Sequence, residues 1–467
     1  MAQSSRKVKL ADLQVGMTIE EITELSFDYA SLDDEHLKFL KATFKGAQAV
    51  LVGEDGTRTA PVEQLKPFDP LQSIVQIPGS LKAARIDAGA VEFLRKHGLL
   101  EFKVVETSAS PAVHTAAKEE PGDAIAVGSD AAKRRSQTVK EDIRHFVDTI
   151  QTADANRGQA SNIVEEMLDN GRTGKFSAKG VEVVVDEIIK QGSSPAMKAI
   201  AGLRSSDQTY AHCTDMSVIL QECYVDILER TGKTPSEANS RFALVAGFMH
   251  DIGKSEVPKE VLESTQRFPP DSKEMIVMRN HTTYGARILS EMGMPQPTIN
   301  VAAYHHVKKD TTLLNSYPGV DYTQVLPLTR LASITDVYQA LIGKRRYKKN
   351  WVPGKAVEYL LSLEGSEFDE RMLAYFVKSI GRYPVGSLVK LSTGELGFVL
   401  AVAPDEHPDR PYVAVVENSA GALLSHHTLI DLMLDPALKV EAVVDHYEHF
   451  SESEDQAYRI FQSIRVA

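Results

Sequence analysis

Residues 241–254 read RFALVAGFMHDIGK. From Phe242 to Met249 the stretch is apolar and uncharged, the pattern of a buried helix, and it stops on the polar tail His250-Asp251-Ile252-Gly253-Lys254. An imidazole and a carboxylate at the end of a buried helix are costly unless they are paired or hold a metal. The stretch therefore predicts a helical core that carries a polar, chemically active site.

Helical spacing extends outward from it, from about Ser136 to Ser379. ILQECYVDILERTG (219–232) keeps an apolar stripe and stops at Gly232, and MRNHTTYGARILSEMG (278–293) and LTRLASITDVYQALIG (328–343) repeat the pattern. The protein is read as mainly α, with a helical domain at 136–380. Five of its fourteen histidines fall in this block: His212, His250, His281 and the tandem His305–His306. Asp251 and Asp336 lie in the same block. Imidazole with carboxylate suits Fe, Mn, Zn or Co. A carboxylate can also bridge two ions about 3.5–4 Å apart, a clamp for phosphoryl chemistry. A lone histidine on an apolar helix is more often a hydrogen-bonded core residue, and Cys213 and Cys223 are read as ordinary helix residues. His426–His427 have no carboxylate cluster near them in sequence and are read as surface residues. The helical set differs because its members come as pairs in defined contexts.

The flanks have other patterns. Residues 1–106 read as a small α/β module, with strands in LADLQVGMTIEEI and AVLVGEDGTRTAPV and a short helix in GAVEFLRKHG (89–98). Residues 107–135, rich in Ala, Ser, Pro, Gly and charge, read as a flexible linker. Residues 381–467 read as a small β-domain with a hairpin turn at Ser392-Thr393-Gly394 and an irregular polar end, YEHFSESEDQAYRIFQSIRVA. The 467 residues carry a formal charge of −12, which argues against long nucleic acids as partners but leaves room for a small anion at a local basic cluster. Two cysteines imply no disulfide framework and fit a reducing cytoplasm. No apolar run approaches the roughly 18–20 residues needed to span a bilayer, and the N-terminal MAQSSRKVKLADLQVGM has no apolar signal core. A cytoplasmic location is the expectation.

HDIGK, with an upstream histidine, a downstream histidine, a tandem pair and a later aspartate, resembles the HD superfamily of metal-dependent phosphohydrolases. The tandem pair followed by Tyr317-Pro318 resembles its HD-GYP family, bacterial phosphodiesterases of cyclic di-GMP. YPVGSLVKLSTGELGFVL is similar to the small β-domain that commonly follows such a core. The resemblance implies two divalent ions, Fe or Mn. His212, His250, Asp251 and Asp336 would hold one. Asp251 would bridge to the other, held by His281, His305 and His306. Water activated between the ions would attack phosphorus and give mainly linear pGpG. Lys254 would stabilise charge on the phosphoryl oxygens; Arg345 and Lys348 would grip phosphate, with Tyr317 and Pro318 bordering the substrate. A protein partner such as a diguanylate cyclase would dock at the Ser-Tyr-Pro loop, and a homodimer is compatible with the family.

The sequence departs from the family pattern in three places. Ser316-Tyr317-Pro318-Gly319 replaces Gly-Tyr-Pro, and the loop VKKDTTLLNS (307–316) is long, polar, lacking in glycine and expected to be mobile. Val307 replaces a glutamate that often follows the second histidine. Gln208 stands where a three-metal branch carries glutamate, and Asp207 is turned about 100° away on a helix. The alternatives are a slow or inactive signalling module that binds cyclic di-GMP or a protein partner, and a hydrolase of another nucleotide.

Overall fold

The computed structural model describes residues 6–9, 18–28, 37–38, 40–41, 46–53, 56–66, 72–85, 99–105, 126–175, 177–203, 209–262, 264, 268–343, 351–450 and 455–465. The chain forms two compact units. One comprises residues 1–120 with 228–234 and 321–328; the other comprises 121–227, 235–320 and 329–467.

The first unit is built on a six-stranded sheet: β1 (Arg6–Lys9), β2 (Thr18–Asp28), β3 (Gln48–Gly53), β4 (Gly56–Pro61), β5 (Gln72–Arg85) and β6 (Leu99–Val105), in the order β1-β6-β2-β5-β3-β4. Its strand pairings are antiparallel. The stretch AVLVGEDGTRTAPV, read as strand, supplies the β3–β4 pair, with Gly53 and Gly56 opposite each other. The helix expected at 89–98, and residues 107–125 of the expected linker, lie outside the described residues.

The second unit is mostly helical. It opens with α1 (Asp130–Arg172), α2 (Lys179–Gln191) and α3 (Ser194–Leu203), followed by α4 (Thr209–Arg230) and α5 (Glu237–Met249). α1 starts inside the stretch expected to be linker. The Ser129 hydroxyl accepts from the Ala132 amide at 3.1 Å, Asp130 sits in the first turn, and two alanines follow. That is a strong helix start which a composition-based reading overlooks. α5 begins with a reciprocal Ser236–Asn239 capping box and ends at His250. A 3-10 turn (Ile252–Glu256) follows, then α6 (Lys259–Leu262), α7 (Lys273–Arg279), α8 (His281–Glu291), α9 (Gln296–Tyr304), α10 (Pro327–Ile342), α11 (Pro353–Leu361) and α12 (Glu370–Ile380).

Two glycines let backbones meet where the site is built. A Cβ on Gly247 would lie 2.5 Å from Ser217 Cα on α4, and one on Gly253 would lie 1.9 Å from the His281 carbonyl oxygen and 2.4 Å from Gly285 N on α8. Only hydrogen fits in these gaps.

A five-stranded antiparallel sheet closes the unit: β7 (Leu388–Leu391), β8 (Leu396–Ala401), β9 (Tyr412–Glu417), β10 (Leu423–Asp431) and β11 (Val440–Val444), in the order β10-β9-β8-β7-β11. One face, with Leu388, Phe398, Tyr412 and Val416, joins the same core as Phe146, Met197 and Phe248 of the helices. Val389, Val399 and Val413 pack together on the other face. The end expected to be irregular contains two helices, α13 (His446–His449) and α14 (Gln456–Ser463). Ala457, Tyr458, Phe461 and Ile464 recur with helical spacing and are buried in the helical core, which outweighs the polar residues between them. His426 is exposed and His427 half-buried on β10, as a surface reading expects. No helix among the described residues is long and apolar enough to cross a membrane.

Candidate metal centre

Five helices and the turn after α5 bring the histidines and aspartates together. His212 comes from the first turn of α4, His250 from the end of α5, His281 from the start of α8, His305 and His306 from the end of α9, and Asp336 from α10. Asp251, only 2% exposed, lies at the centre. Its Oδ2 is 3.2 Å from His250 Nε2 and 3.8 Å from His212 Nε2, and its Oδ1 is 3.3 Å from His281 Nε2 and 3.9 Å from His305 Nε2. Asp336 Oδ1 lies 3.0 Å from His212 Nε2 and 4.0 Å from His250 Nε2. His281, His305 and His306 form one group of ligand atoms, all within 4.8 Å of one another. His212, His250 and Asp336 form a second, and Cys213, His250 and Asp251 a third.

The ring orientations are set from outside the site. Carbonyls can only accept, so the Nδ1–H of His250 donates to Gly247 O at 2.7 Å, that of His281 to Met278 O at 2.7 Å and that of His305 to Val301 O at 2.9 Å. Each ring then turns Nε2 inward, the atom through which it would bind a metal. His250 Nε2 and Asp251 Oδ1 are buried without a hydrogen-bond partner among the described residues. Buried polar atoms are normally satisfied. The donor set and these two orphan atoms fit divalent cations.

The electrostatics point the same way. Burial opposes ionisation of Asp251, but Lys254, His250 and His281 outweigh it and hold the carboxyl well below its usual range. Burial also opposes ionisation of Asp336, and His212, His306 and His250 hold it low. Burial pushes His281 down to about 4 and His305 to about 3, and drives His306 well below its ordinary value. These three rings are neutral and ligand-ready near pH 7. His250 is raised, since Asp251 and Asp336 overcome the effect of burial. Burial, reinforced by Asp251, keeps Cys213 a neutral thiol.

The remaining sequence candidates are placed as follows. Lys254 ion-pairs with Asp251 Oδ2, and that carboxylate keeps it protonated despite its burial. The Tyr317 ring stacks on His306 at 4.7 Å and lies under the Arg279 guanidinium at 5.3 Å; a cis peptide joins Tyr317 to Pro318. Arg345 and Lys348, and likewise Asp207 and Gln208, lie outside the described residues. The loop 307–316 is tied down rather than loose. Lys308 Nζ lies 3.0 Å from Glu367 Oε2, Asn315 Nδ2 donates to Glu367 Oε1 at 2.9 Å, and Lys309 N donates to Glu367 O at 3.0 Å. Lys309 also pairs with Glu370. Two successive lysines meet an acidic turn, a match that the loop sequence alone does not reveal. Sequence reading also missed Gln339, Asp215 and Arg157, which lie behind His212. Asp215 and Gln339 fall three residues after His212 and Asp336, on the same helix faces, and that spacing was available as a signal. Nothing in the sequence singled out Arg157.

Parts of the chain are similar to known proteins. Residues 209–341 match the HD domain, and residues 388–452 match the KOW domain associated with HD domain. A cyclic di-GMP phosphodiesterase of Pseudomonas aeruginosa is 31% identical over 268 residues, covering 56% of this chain and 60% of the relative. The 3'3'-cGAMP-specific phosphodiesterase 2 of Vibrio cholerae is 31% identical over 128 residues, 27% of this chain and 24% of the relative. A solved HDG"Y"P protein from Bdellovibrio bacteriovorus superposes with a TM-score of 0.37 at 12% identity, over 80% of this chain and 98% of that one; so low a score carries no argument. The chain thus spans at most about three fifths of the length of these two sequence relatives. Residues 209–341 are an HD domain, with its associated KOW domain after it.

Proposed function

We propose that this chain is a phosphodiesterase of the HD-GYP type that hydrolyses cyclic di-GMP, mainly to linear pGpG. The observation that carries this reading is the convergence of Nε2 atoms from four helices on the two oxygens of Asp251, which makes that carboxylate a natural bridge between two ions. His212, His250, Asp251 and Asp336 would hold one ion; Asp251, His281, His305 and His306 would hold the other. Two divalent ions, Fe or Mn, supply Lewis-acid charge and acidify water at the phosphorus. Lys254, already beside Asp251, is placed to meet charge developing on a phosphoryl oxygen. Tyr317, stacked on His306, borders the site where a planar base or ribose would lie, with Pro318 beside it. Arg345 and Lys348 are proposed to hold the second phosphate of the dinucleotide. Gln208 in place of glutamate favours two ions over three, and so one cut over two. A diguanylate cyclase docking at the Ser-Tyr-Pro loop, homodimer formation and a cytoplasmic location belong to the same reading.

The Vibrio relative's name, with its different cyclic dinucleotide, supports a second reading in which the preferred substrate is 3'3'-cGAMP. One experiment separates the two. The purified protein, loaded anaerobically with Fe(II) or Mn(II), is given each dinucleotide, and the products are resolved by chromatography over time. Cyclic di-GMP should disappear fastest, with pGpG accumulating and about two ions bound per chain. Faster turnover of 3'3'-cGAMP would establish the second reading. Rapid GMP formation with about three ions would overturn the one-cut assignment.

A further inference from the structure

Four histidines of the site turn Nε2 inward, but they are held there in two different ways. His250, His281 and His305 donate from Nδ1 to backbone carbonyls, which no side-chain change removes. His212 meets a side chain instead: its Nδ1 contacts Gln339 Oε1. A primary amide has a donor end and an acceptor end, so the contact fixes the ring only if something fixes the amide. Behind it, Gln339 Nε2 reaches Asp215 Oδ2 at 3.4 Å. Arg157 grips Asp215 with two bonds, Nε to Oδ1 at 2.6 Å and Nη2 to Oδ2 at 2.8 Å. Arg157, Asp215 and Gln339 are 5%, 2% and 3% exposed.

We infer that Arg157, Asp215 and Gln339 form a positioning relay that sets the tautomer of His212, and with it the affinity of the first metal position. The logic is forced at each link. A guanidinium only donates, so both Asp215 oxygens accept from Arg157. Asp215 therefore takes the NH2 end of Gln339. The carbonyl end then faces His212 and only accepts, so His212 carries its proton on Nδ1. Its Nε2 is left facing Asp336 Oδ1 at 3.0 Å and Asp251 Oδ2 at 3.8 Å, across the first metal position. The relay starts on α1, an element that supplies none of the proposed metal ligands. It rests on the metal centre proposed above but not on the identity of the substrate.

The relay predicts an unusual mutational pattern. In Asp215→Asn the new amide turns its oxygen to Arg157 and its NH2 to Gln339. Gln339 then flips, offers NH2 to His212 and moves that ring's proton to Nε2. Adding Gln339→Glu restores an acceptor on both sides and returns the proton to Nδ1. Two measurements on metal-free protein, with no substrate present, read this out. Long-range 1H–15N spectra of histidine-labelled protein report the His212 tautomer. Calorimetric titration with Mn(II) reports affinity.

Asp215→Asn should lose about 10–100-fold in Mn(II) affinity at one position and lose the Nδ1–H signal of His212. The double variant Asp215→Asn/Gln339→Glu should recover the Nδ1–H signal and most of the affinity. Wild-type spectra and affinity in the single variant would overturn the relay. So would a double variant as weak as the single one with equal melting temperatures, since the loss would then be structural. If Asp215→Asn does not fold, Gln339→Met removes the acceptor while sparing the Arg157–Asp215 pair. It should lose at least about tenfold in affinity, and unchanged affinity there would equally sink the proposal. Absence of cyclic di-GMP hydrolysis would count against the substrate assignment alone.

Discussion

At Asp251 the two halves of the candidate site meet, with Oδ2 toward His250 and Oδ1 toward His281. If it bridges two ions, Asp251→Asn, which keeps the shape but drops the charge, should cut bound metal by half or more and abolish turnover. Elemental analysis beside a product assay checks this, and full metal content with full activity would reduce the pair to a structural helix end. Lys254 shares that carboxylate but is not a proposed ligand. Lys254→Ala should leave metal content unchanged and lower kcat by about 10²-fold, the cost of losing one transition-state donor; a change in KM alone would make it a binding residue. The residue scale is also where the sequence was most legible. His212, His250, Asp251, His281, His305, His306 and Asp336 stood out by type and context, and the fold brings all seven together. What stayed hidden was the layer behind them. Arg157 meets Asp215 across 58 positions of sequence, and Gln339 meets His212 across 127. No local pattern encodes such pairings.

Elements place these residues through close backbone contacts, and Gly253 is the tightest of them. Gly253→Ala would push a methyl into the His281 carbonyl and the Gly285 amide. Moving α8 away should cost about 3 kcal/mol and displace His281 from Asp251. Calorimetric unfolding together with metal analysis tests both effects, and wild-type melting would show that the turn can relax. A second prediction belongs to α13. His446 is fully buried, neither ring nitrogen has a hydrogen-bond partner among the described residues, and burial lowers its pKa to about 4 despite the nearby Asp445. Between about pH 6.5 and 4 the unfolded chain binds a proton that the folded one refuses, so stability falls as pH drops through that window. The shift corresponds to at most about 3 kcal/mol. His446→Leu removes the titration and should flatten stability over that range, as read by denaturant midpoints at pH 4.5 and 7. Equal pH slopes in both proteins would exclude His446 as the source. The misread helix start and the misread C-terminal helix teach one lesson about elements. The first turns of α1 announce themselves by the Ser129 cap and α14 by the spacing of Tyr458, Phe461 and Ile464, but both lie in polar stretches where composition suggests loop.

At the scale of the second unit, the C-terminal sheet reads in sequence as a separate small domain, because its period-2 pattern differs from that of the helices before it. Its packing adds that it shares a core with the helices. Leu388, Leu396, Phe398, Leu400, Tyr412, Ala414 and Val416 lie in one core with Phe146, Met197, Ile200, Leu244 and Phe248, and α14 adds Tyr458 and Phe461 to it. Which face of a strand meets a distant helix is a tertiary fact, invisible to a pattern that reports only alternation. The numbers decide what truncation does. Uncovering Phe146, Met197, Ile200, Leu244 and Phe248 at roughly 1.5–3 kcal/mol each amounts to about 8–15 kcal/mol, comparable to the whole stability of a typical domain. A chain ending at Ile380 should therefore not survive as a working HD domain, although it keeps every proposed metal ligand. It should lack a cooperative thermal transition and fail to retain metal through gel filtration. In the intact protein the helices and the sheet should melt together, with helical and β signals in circular dichroism sharing one midpoint. A truncated protein that melts cooperatively and binds about two ions would show that the shared core is dispensable and that the sheet is a separable domain.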